Sequence, residues 1–209
     1  MAEIPIDLAT WTRAAQFNLF RTYDRPHYAV TSRIDVTHLL TIAKPRGVSA
    51  YRGCLYAIGH GLHAVPELCM RFRDSDVVQH DATQMSMTVP QDAGGFGYGY
   101  VDHYADFPTF DAACAAEIAK VAAGKGLAPN QGERDDLAYV SCMPWLDYTS
   151  INNALPGPDD CIPRVSWGKF VDQGGKWDMA MTLEVHHALV DGEQVGSYFA
   201  AVQEALNDL

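Results

Sequence analysis

The spacing of apolar residues in this chain changes repeatedly between the period of a strand and the period of a helix. Apolar residues alternate over 85–89 and 179–185, which predicts half-buried strands. Stripes at three- and four-residue spacing over 50–65 and 195–206 predict amphipathic helices. Because the two patterns are interleaved along the chain, we expect an α/β or α+β fold in which helices pack on a mixed β-sheet.

Three further segments carry specific expectations. A helix is predicted over residues 10–23 with Thr10 as its N-cap, and a strand is predicted over 165–170. Three aromatic residues alternate with two glycines over 96–100. Either the glycine face accepts a ligand or a neighbouring element at close range, or the aromatic rings form ordinary core, and both interpretations stay open here.

Composition excludes several classes of protein. The chain has 209 residues, of which 48% are hydrophobic and 20% charged, as in ordinary folded proteins rather than disordered ones. Its net charge of −11, with 15 basic against 26 acidic residues, argues against general binding to nucleic acid. Five cysteines without a C-x-x-C pair indicate free thiols in a reducing compartment. We expect a cytoplasmic protein with neither a signal peptide nor a membrane-spanning helix.

The most informative local sequence is His-His-Ala-Leu-Val-Asp-Gly over residues 186–192, where an alternating strand ends and a helix begins. Adjacent strand residues point to opposite faces, so one histidine should be structural and the other chemical. A histidine near neutral pKa accepts a proton from a hydroxyl or thiol, and Asp191 could orient His187 or cap the helix. A hydrogen-bonded structural pair remains an equal alternative from spacing alone.

Metal binding is a weaker interpretation of the histidines. No additional acidic or thiol side chain stands at ligand spacing near His186 and His187. His60 and His63 lie three residues apart on a predicted helix, but no third ligand is evident. We therefore expect no metal.

The histidine motif resembles the His-His-x-x-x-Asp-Gly signature of the chloramphenicol acetyltransferases, which the catalytic domains of 2-oxoacid dehydrogenase E2 chains share. Other segments resemble the chloramphenicol branch in the correct order from one end of the chain to the other. They are Trp11-Thr12-Arg13 followed by Phe17, Thr31-Ser32-Arg33-Ile34-Asp35, Pro66-Glu67-Leu68, Pro144-Trp145-Leu146-Asp147-Tyr148-Thr149-Ser150, and Ser166-Trp167-Gly168-Lys169-Phe170.

This resemblance implies a single domain over residues 1–209 with the two-layer α+β sandwich of the family. It also implies a homotrimer whose active sites lie between subunits. Acetyl-CoA is the implied co-substrate, the acceptor is a small molecule such as chloramphenicol, and no acyl-enzyme forms. His187 would be the general base that takes the proton from the acceptor hydroxyl.

The resemblance also assigns roles to other catalytic residues. Ser150 would donate a hydrogen bond to the tetrahedral oxyanion, and Ser166 would hold a water near it. Arg13 and Asp191 would form an internal ion pair that anchors the segment carrying the base.

Binding residues follow from the same resemblance. Lys169 and Phe170 would contact the nucleotide end of the coenzyme. Phe20, Tyr28 and Phe96 would line the acceptor pocket. The segment 24–26 departs from the family pattern, because Asp24 and Pro26 replace an apolar and a small residue. The same machinery acting on another alcohol or amine is therefore the alternative function, and a catalytically silent ligand-binding module on the same scaffold is the third.

Overall fold

A seven-stranded mixed β-sheet is the framework of the computed structural model, which describes residues 2–130 and 134–209. Residue 1 and residues 131–133 of the predicted single domain lie outside the described residues. The ten strands are β1 (Glu3–Pro5), β2 (His27–Asp35), β3 (Met70–Arg73), β4 (Asp76–His80), β5 (Gln84–Pro90), β6 (Phe96–Val101), β7 (Leu137–Cys142), β8 (Arg164–Trp167), β9 (Val171–Asp172) and β10 (Trp177–His186).

The large sheet has the order β2-β10-β8-β7-β5-β6, and β9 pairs with β10. Parallel pairing of β7 with both β5 and β8 makes the sheet mixed, and the other pairs are antiparallel. A small separate sheet has the order β1-β4-β3. The open mixed sheet with packed helices confirms the predicted α+β class.

Among the described residues, four α-helices accompany the sheet, and they are α1 (Ala14–Phe20), α2 (Ala50–Ala64), α3 (Phe107–Ala122) and α4 (Gly192–Asn207). Ser49 caps α2 by accepting from the Arg52 N–H, and Asp106 caps α3 by accepting from the Thr109 N–H. Helices α2 and α4 approach closely at Gly61, where a Cβ atom would lie 2.5 Å from the Val202 side chain. No helix in the described part of the chain is long and apolar enough to cross a membrane.

The two faces of the sheet differ in chemistry because strand side chains alternate. The face toward the helices carries core residues such as Met87, Val140, Val165 and Leu183. The opposite face carries a row of hydroxyl residues in register across four strands, and the irregular segment 144–161 covers part of it. The row consists of Thr31, Thr182, Ser166 and Ser141.

The predicted start of the first helix is wrong. The carboxylate of Asp7 accepts hydrogen bonds from the Ala9 N–H and the Thr10 hydroxyl, both at 3.0 Å. These bonds hold Thr10 in a separate turn, so α1 begins only at Ala14 and Thr10 is not its N-cap. A strand over 165–170 is also wrong at its end, because pairing stops at Trp167.

The glycines that alternate with aromatic residues in β6 allow a neighbouring element to approach the sheet closely. Gly97 and Gly99 are buried beneath α3, where added Cβ atoms would lie 2.9 and 3.3 Å from the Val121 side chain. Phe96, with Tyr98 and Tyr100 beyond it, faces the other side of the sheet and is 43% exposed. The interpretation of these rings as ordinary core is therefore wrong.

Candidate functional site

His187 follows the last residue of β10 directly, and its main chain is anchored by a hydrogen bond from its N–H to the carbonyl of Pro26 at 2.9 Å. Its imidazole stacks on the ring of Phe20 with 3.9 Å between ring centroids and an interplanar angle of 6°. Tyr28 contacts the same ring at 4.5 Å. Two aromatic side chains thus hold the imidazole in one orientation while 35% of the His187 side chain stays exposed.

Arg13 and Asp191 form an ion pair beside this imidazole. Arg13 is 6% exposed, and its second guanidinium nitrogen donates to the His187 carbonyl at 3.4 Å. The hydrogen bond from Arg13 lowers the pKa of Asp191, so the carboxylate is ionised at neutral pH. Asp191 also stands at the N-cap of α4, where its N–H donates to the Gln194 side chain at 2.9 Å.

The surroundings of His187 distinguish its two ring nitrogens. Nδ1 is buried and lies 3.2 Å from Oδ1 of Asp191. This contact does not count as a regular hydrogen bond, so the attraction is chiefly electrostatic. Nε2 is consequently the nitrogen left to meet a substrate. An imidazole that becomes protonated at Nε2 is stabilised by the adjacent carboxylate.

The preceding histidine, His186, is buried, and both of its ring nitrogens form hydrogen bonds. Its Nδ1 accepts from the Ala188 N–H at 3.1 Å, and its Nε2 donates to the Pro158 carbonyl at 3.0 Å. Burial lowers the pKa of His186 to about 4, so the ring is neutral. His186 therefore has the expected structural role, and the chemical role of His187 stays a prediction.

Tyr28 has a second connection to the site. Its hydroxyl donates to the Val190 carbonyl at 3.2 Å, which ties β2 to the segment between His187 and α4. Burial raises the pKa of Tyr28 to about 12, with Asp191 contributing, so the phenol stays protonated. The uncharged Tyr28 ring therefore packs against the His187 imidazole without adding a charge.

A groove of about 380 Å³ opens on the hydroxyl-bearing face of the sheet, away from His187. Its floor comes from β5, β6, β7 and β8, and the segment 144–161 supplies one wall. Asn153 fixes this wall, because its main-chain and side-chain N–H groups donate to the buried Glu184 at 2.8 and 2.7 Å. Side chains in the groove include Ser86, Thr88, Tyr98, Tyr139 and Ser141.

The predicted serine Ser150 and the groove serine Ser141 have different surroundings. Ser150 lies exposed in the segment 144–161 and is absent from the groove lining. Ser141 lies in β7 directly opposite Ser166 of β8 and lines the groove. Ser166 itself is 1% exposed, and it lies on the same face under the segment 144–161, where the Tyr148 hydroxyl donates to its carbonyl at 2.7 Å. Sequence reasoning missed Ser141 because only cross-strand register brings it beside Ser166.

The structure does not bring the predicted residues together in one chain. Ser166 pairs with Thr182, which lies five residues before His187 along β10. At about 3.3 Å per residue this separates the backbone at Ser166 and Thr182 from that at His187 by roughly 16 Å. Phe96 is on the groove side, because its ring contacts Tyr98 at 5.7 Å. One cluster therefore contains His187, Phe20, Tyr28, Arg13 and Asp191. Ser166 and Phe96 lie on the groove face of the sheet but three strands apart, on β8 and β6.

The two residues expected to bind the coenzyme follow β8. Lys169 is exposed, makes no ion pair within the described residues, and its N–H donates to the Leu146 carbonyl at 2.8 Å. Phe170 is half-buried against the core. Trp145, in the segment that meets Lys169, is 79% exposed. Binding of the coenzyme by Lys169 and Phe170 stays a prediction.

The departures at Asp24 and Pro26 have different consequences. Asp24 is exposed and, within the described ranges, forms no ion pair with Arg25 or any other residue, so its charge is solvated. Pro26 is buried and supplies the carbonyl that accepts from His187. Neither residue places an unpaired charge against the imidazole.

Potential metal ligands lie elsewhere in the fold. Among the described residues, Glu3, His80 and Asp135 could offer three ligand atoms close together, but Arg73 already forms ion pairs with both carboxylates. His63 uses both ring nitrogens, one on the Gly59 carbonyl and the other on the Thr83 N–H. The expectation that no metal takes part stays a prediction.

Comparisons with known proteins agree with the sequence motifs. The family model described as "Chloramphenicol acetyltransferase" matches residues 1–203. Chloramphenicol acetyltransferase 2 of Escherichia coli is 26% identical over 200 residues, which cover 95% of this chain and 94% of that protein. A chloramphenicol acetyltransferase of Bacillus pumilus is 25% identical over 190 residues, covering 90% and 86%.

Solved structures give the same result for the fold. A chloramphenicol acetyltransferase superposes with a TM-score of 0.91 at 25% identity, covering 98% of this chain and 100% of that chain. A probable dihydrolipoamide acetyltransferase from Listeria monocytogenes has a TM-score of 0.68 at 13% identity, covering 100% and 95%. The second likeness concerns the fold alone.

Proposed function

The chain belongs to the chloramphenicol acetyltransferase family, whose model matches residues 1–203, and on that premise we propose that it transfers an acetyl group from acetyl-CoA to a hydroxyl of chloramphenicol. Acetyl-CoA is the co-substrate of this family. The observation that carries the proposal is the accessible imidazole of His187, which is stacked on Phe20 and electrostatically backed by the Arg13–Asp191 ion pair.

His187 acts as general base in a direct transfer. Its Nε2 takes the proton of the acceptor hydroxyl while the hydroxyl oxygen attacks the thioester carbonyl carbon. The tetrahedral intermediate then collapses, the carbon–sulfur bond breaks, and the imidazolium returns the proton to the departing thiolate. Asp191 stabilises the imidazolium during this interval because Arg13 keeps its carboxylate ionised.

A covalent acetyl-enzyme finds no support among the cysteines. Burial raises the pKa of Cys114 and of Cys142 to about 12, so neither is a thiolate at neutral pH. Cys54, Cys69 and Cys161 also have raised pKa values because of burial. Direct attack in a ternary complex is therefore the mechanism we propose.

We assign the oxyanion-binding hydroxyl to Ser141 rather than to Ser150. The support is that Ser141 lines the groove and faces Ser166 across the sheet, whereas Ser150 is exposed. A single donor of this kind contributes about 3 kcal/mol to transition-state stabilisation in a dry site. Ser166 keeps its proposed role beside it.

The complete site forms between copies of the chain in the homotrimer that we propose. The separation of His187 from the groove within one chain supports this arrangement, since one copy can supply the base and its neighbour the groove. Phe20 and Tyr28 then line the acceptor from the side of the base, and Phe96 lines it from the groove side. Exposed Trp145 and Leu146 offer apolar surface for such a contact.

The remaining assignments rest on local chemistry. Lys169 and Phe170 bind the nucleotide end of the coenzyme in this proposal. A cytoplasmic location fits the five free cysteines. A single domain over residues 1–209 is supported by the one connected core of the described residues.

The test is release of CoA thiol from acetyl-CoA with and without chloramphenicol. We expect drug-dependent release, a loss of about 10²–10⁴-fold in kcat for His187→Ala, and a loss of about 100-fold or more for Ser141→Ala. A comparable loss for Ser150→Ala instead would overturn the assignment to Ser141. Release only with other alcohols or amines would replace the acceptor, and silence with a wide panel would favour a ligand-binding module.

A further inference from the structure

The hydroxyl of Tyr28 makes a contact that the roles of its ring do not explain. Packing against the His187 imidazole and lining the acceptor from the side of the base require only an aromatic ring, which phenylalanine would also supply. The hydroxyl instead donates to the Val190 carbonyl at 3.2 Å. Burial raises the pKa of Tyr28 to about 12, so the phenol stays protonated and remains a donor at neutral pH.

The Val190 carbonyl depends on this hydroxyl for its hydrogen bond. Val190 is 2% exposed and precedes the first turn of α4. Among the described residues, no main-chain N–H donates to its carbonyl. Buried carbonyl groups are normally paired, and a carbonyl that loses its donor without gaining water is unfavourable. Without the Tyr28 hydroxyl, the peptide group at Val190 would therefore tend to turn away from its present orientation.

The same peptide group is held at its other end. The Val190 carbonyl and the Asp191 N–H belong to one planar peptide unit, and the Asp191 N–H donates to Oε1 of Gln194 at 2.9 Å. The peptide cannot rotate without breaking one of these two hydrogen bonds. Its orientation sets the direction in which the Asp191 side chain leaves the main chain. It thereby sets the 3.2 Å contact between Oδ1 of Asp191 and Nδ1 of His187.

Strand β2 and the residue before it hold both ends of the segment 187–191. The segment starts at the hydrogen bond from the His187 N–H to the Pro26 carbonyl, and it ends at the hydrogen bond from Tyr28, the second residue of β2. Tyr28 lies directly opposite Val185 in the paired strands β2 and β10. The Asp191 carboxylate is thus held relative to His187 by a hydrogen-bonded sheet rather than by a free loop.

We propose that Tyr28 is a positioning residue, whose hydroxyl fixes the Val190–Asp191 peptide and thereby holds the Asp191 carboxylate against the His187 imidazole during acetyl transfer. This inference rests on the proposed function, because it takes His187 as the general base. The imidazolium forms when His187 takes the proton of the acceptor hydroxyl. A carboxylate that is already in place stabilises this charge without having to reorient in each turnover.

The test is Tyr28→Phe, which keeps the ring and removes the hydroxyl. We expect kcat for chloramphenicol-dependent release of CoA thiol to fall about five- to tenfold, as for one lost hydrogen bond, with little change in KM for either substrate. Hydrogen exchange of the amides in 187–191, followed by mass spectrometry, should become about five- to tenfold faster. Tyr56→Phe is the matched control, because it removes a hydroxyl that donates to the Ala105 carbonyl at 2.9 Å from α2.

A double-mutant cycle distinguishes positioning from a general loss of stability. If the Tyr28 hydroxyl acts through the Asp191 carboxylate, Tyr28→Phe should lower kcat by less than about twofold in an Asp191→Asn background. An equal loss in both backgrounds would overturn the positioning role. Gln194→Met releases the other end of the same peptide and replaces Asp191→Asn if that variant does not fold. It should lower kcat by itself, and Tyr28→Phe should then add less than about twofold.

The outcomes separate this inference from the proposed function. If the wild type acetylates chloramphenicol and Tyr28→Phe changes neither kcat nor exchange in 187–191, the role of Tyr28 is overturned and the function stands. Faster exchange with an unchanged kcat also overturns it, because the hydroxyl then holds the segment without positioning the base. If the wild type transfers no acetyl group, the function fails. In that case faster exchange in Tyr28→Phe still supports the hold on Asp191, and unchanged exchange overturns it.

Discussion

Removal of Arg13 should both destabilise the protein and impair His187 as general base, because both effects follow from loss of the Arg13–Asp191 ion pair. Arg13→Met leaves the ionised Asp191 without its partner beside His187. Breaking a fully buried ion pair costs about 3–5 kcal/mol, but the Asp191 side chain is 30% exposed and solvent screens part of this. We expect a loss of about 2–3 kcal/mol in the free energy of unfolding, or roughly 5–10 °C in Tm for a chain of this size.

A double-mutant cycle with Asp191→Asn tests the physical origin of this loss. Asp191→Asn should cost at least as much as Arg13→Met, because it leaves the more deeply buried charge unpaired. The double variant removes both charges, so its loss should be about 2 kcal/mol smaller than the sum of the single losses. The measurement is urea unfolding at one fixed protein concentration, because the stability of the proposed homotrimer would depend on concentration.

The same variants connect stability with catalysis. Arg13 also donates to the His187 carbonyl, so its loss should lower kcat while the KM for acetyl-CoA changes little. Strictly additive losses in the cycle would show that the two residues do not act as a pair. An unchanged kcat in a folded Arg13→Met variant would show that the pair does not position the base.

Two further predictions concern packing and acid stability. Gly61→Ala should destabilise the protein by about 1–3 kcal/mol in urea unfolding, because α2 and α4 leave no room for a Cβ atom. The control, Gly196→Ala on the open side of α4, should be neutral or slightly stabilising. Equal effects of the two substitutions would contradict this reasoning. Burial lowers the pKa of His186 to about 4 in the folded chain, whereas its pKa in the unfolded chain is near 6.5. Between these two pH values the unfolded chain binds a proton that the folded chain excludes. The free energy of unfolding should therefore fall by roughly 3 kcal/mol as the pH drops from about 6.5 to 4. His186→Gln should make unfolding measured across this range less dependent on pH, and an unchanged slope would refute the assignment.

Helices and strands that are specified by the pattern of neighbouring residues could be predicted from the sequence. The stripe over 50–65 corresponds to α2, which spans Ala50–Ala64. The alternation over 179–185 corresponds to β10, which spans Trp177–His186. Both elements are specified by periodicity and by residues that end them, and both kinds of signal lie within a few positions in the chain.

Elements that depend on competition between neighbours could not be predicted in the same way. Thr10 has the side chain of an N-cap, but the Asp7 carboxylate binds its hydroxyl first. Ser150 has the position of a motif serine, but exposure in an irregular segment leaves it outside the groove. Ser141 carries no motif of its own, and its candidacy arises only from the β7–β8 register that sets it opposite Ser166.

The division of the candidate site follows from how a sheet distributes its side chains. His187 lies beyond the end of β10, where the chain turns toward α4 and is no longer bound by strand alternation. Ser141 and Ser166 lie within strands and must share the face opposite the helices. A single copy cannot bend an intact, hydrogen-bonded sheet to close the roughly 16 Å between them. In the homotrimer that we propose, a second copy supplies the hydroxyl donor to the base. Dilution to the monomer should therefore abolish acetyl transfer, measured as release of CoA thiol, while each chain remains folded.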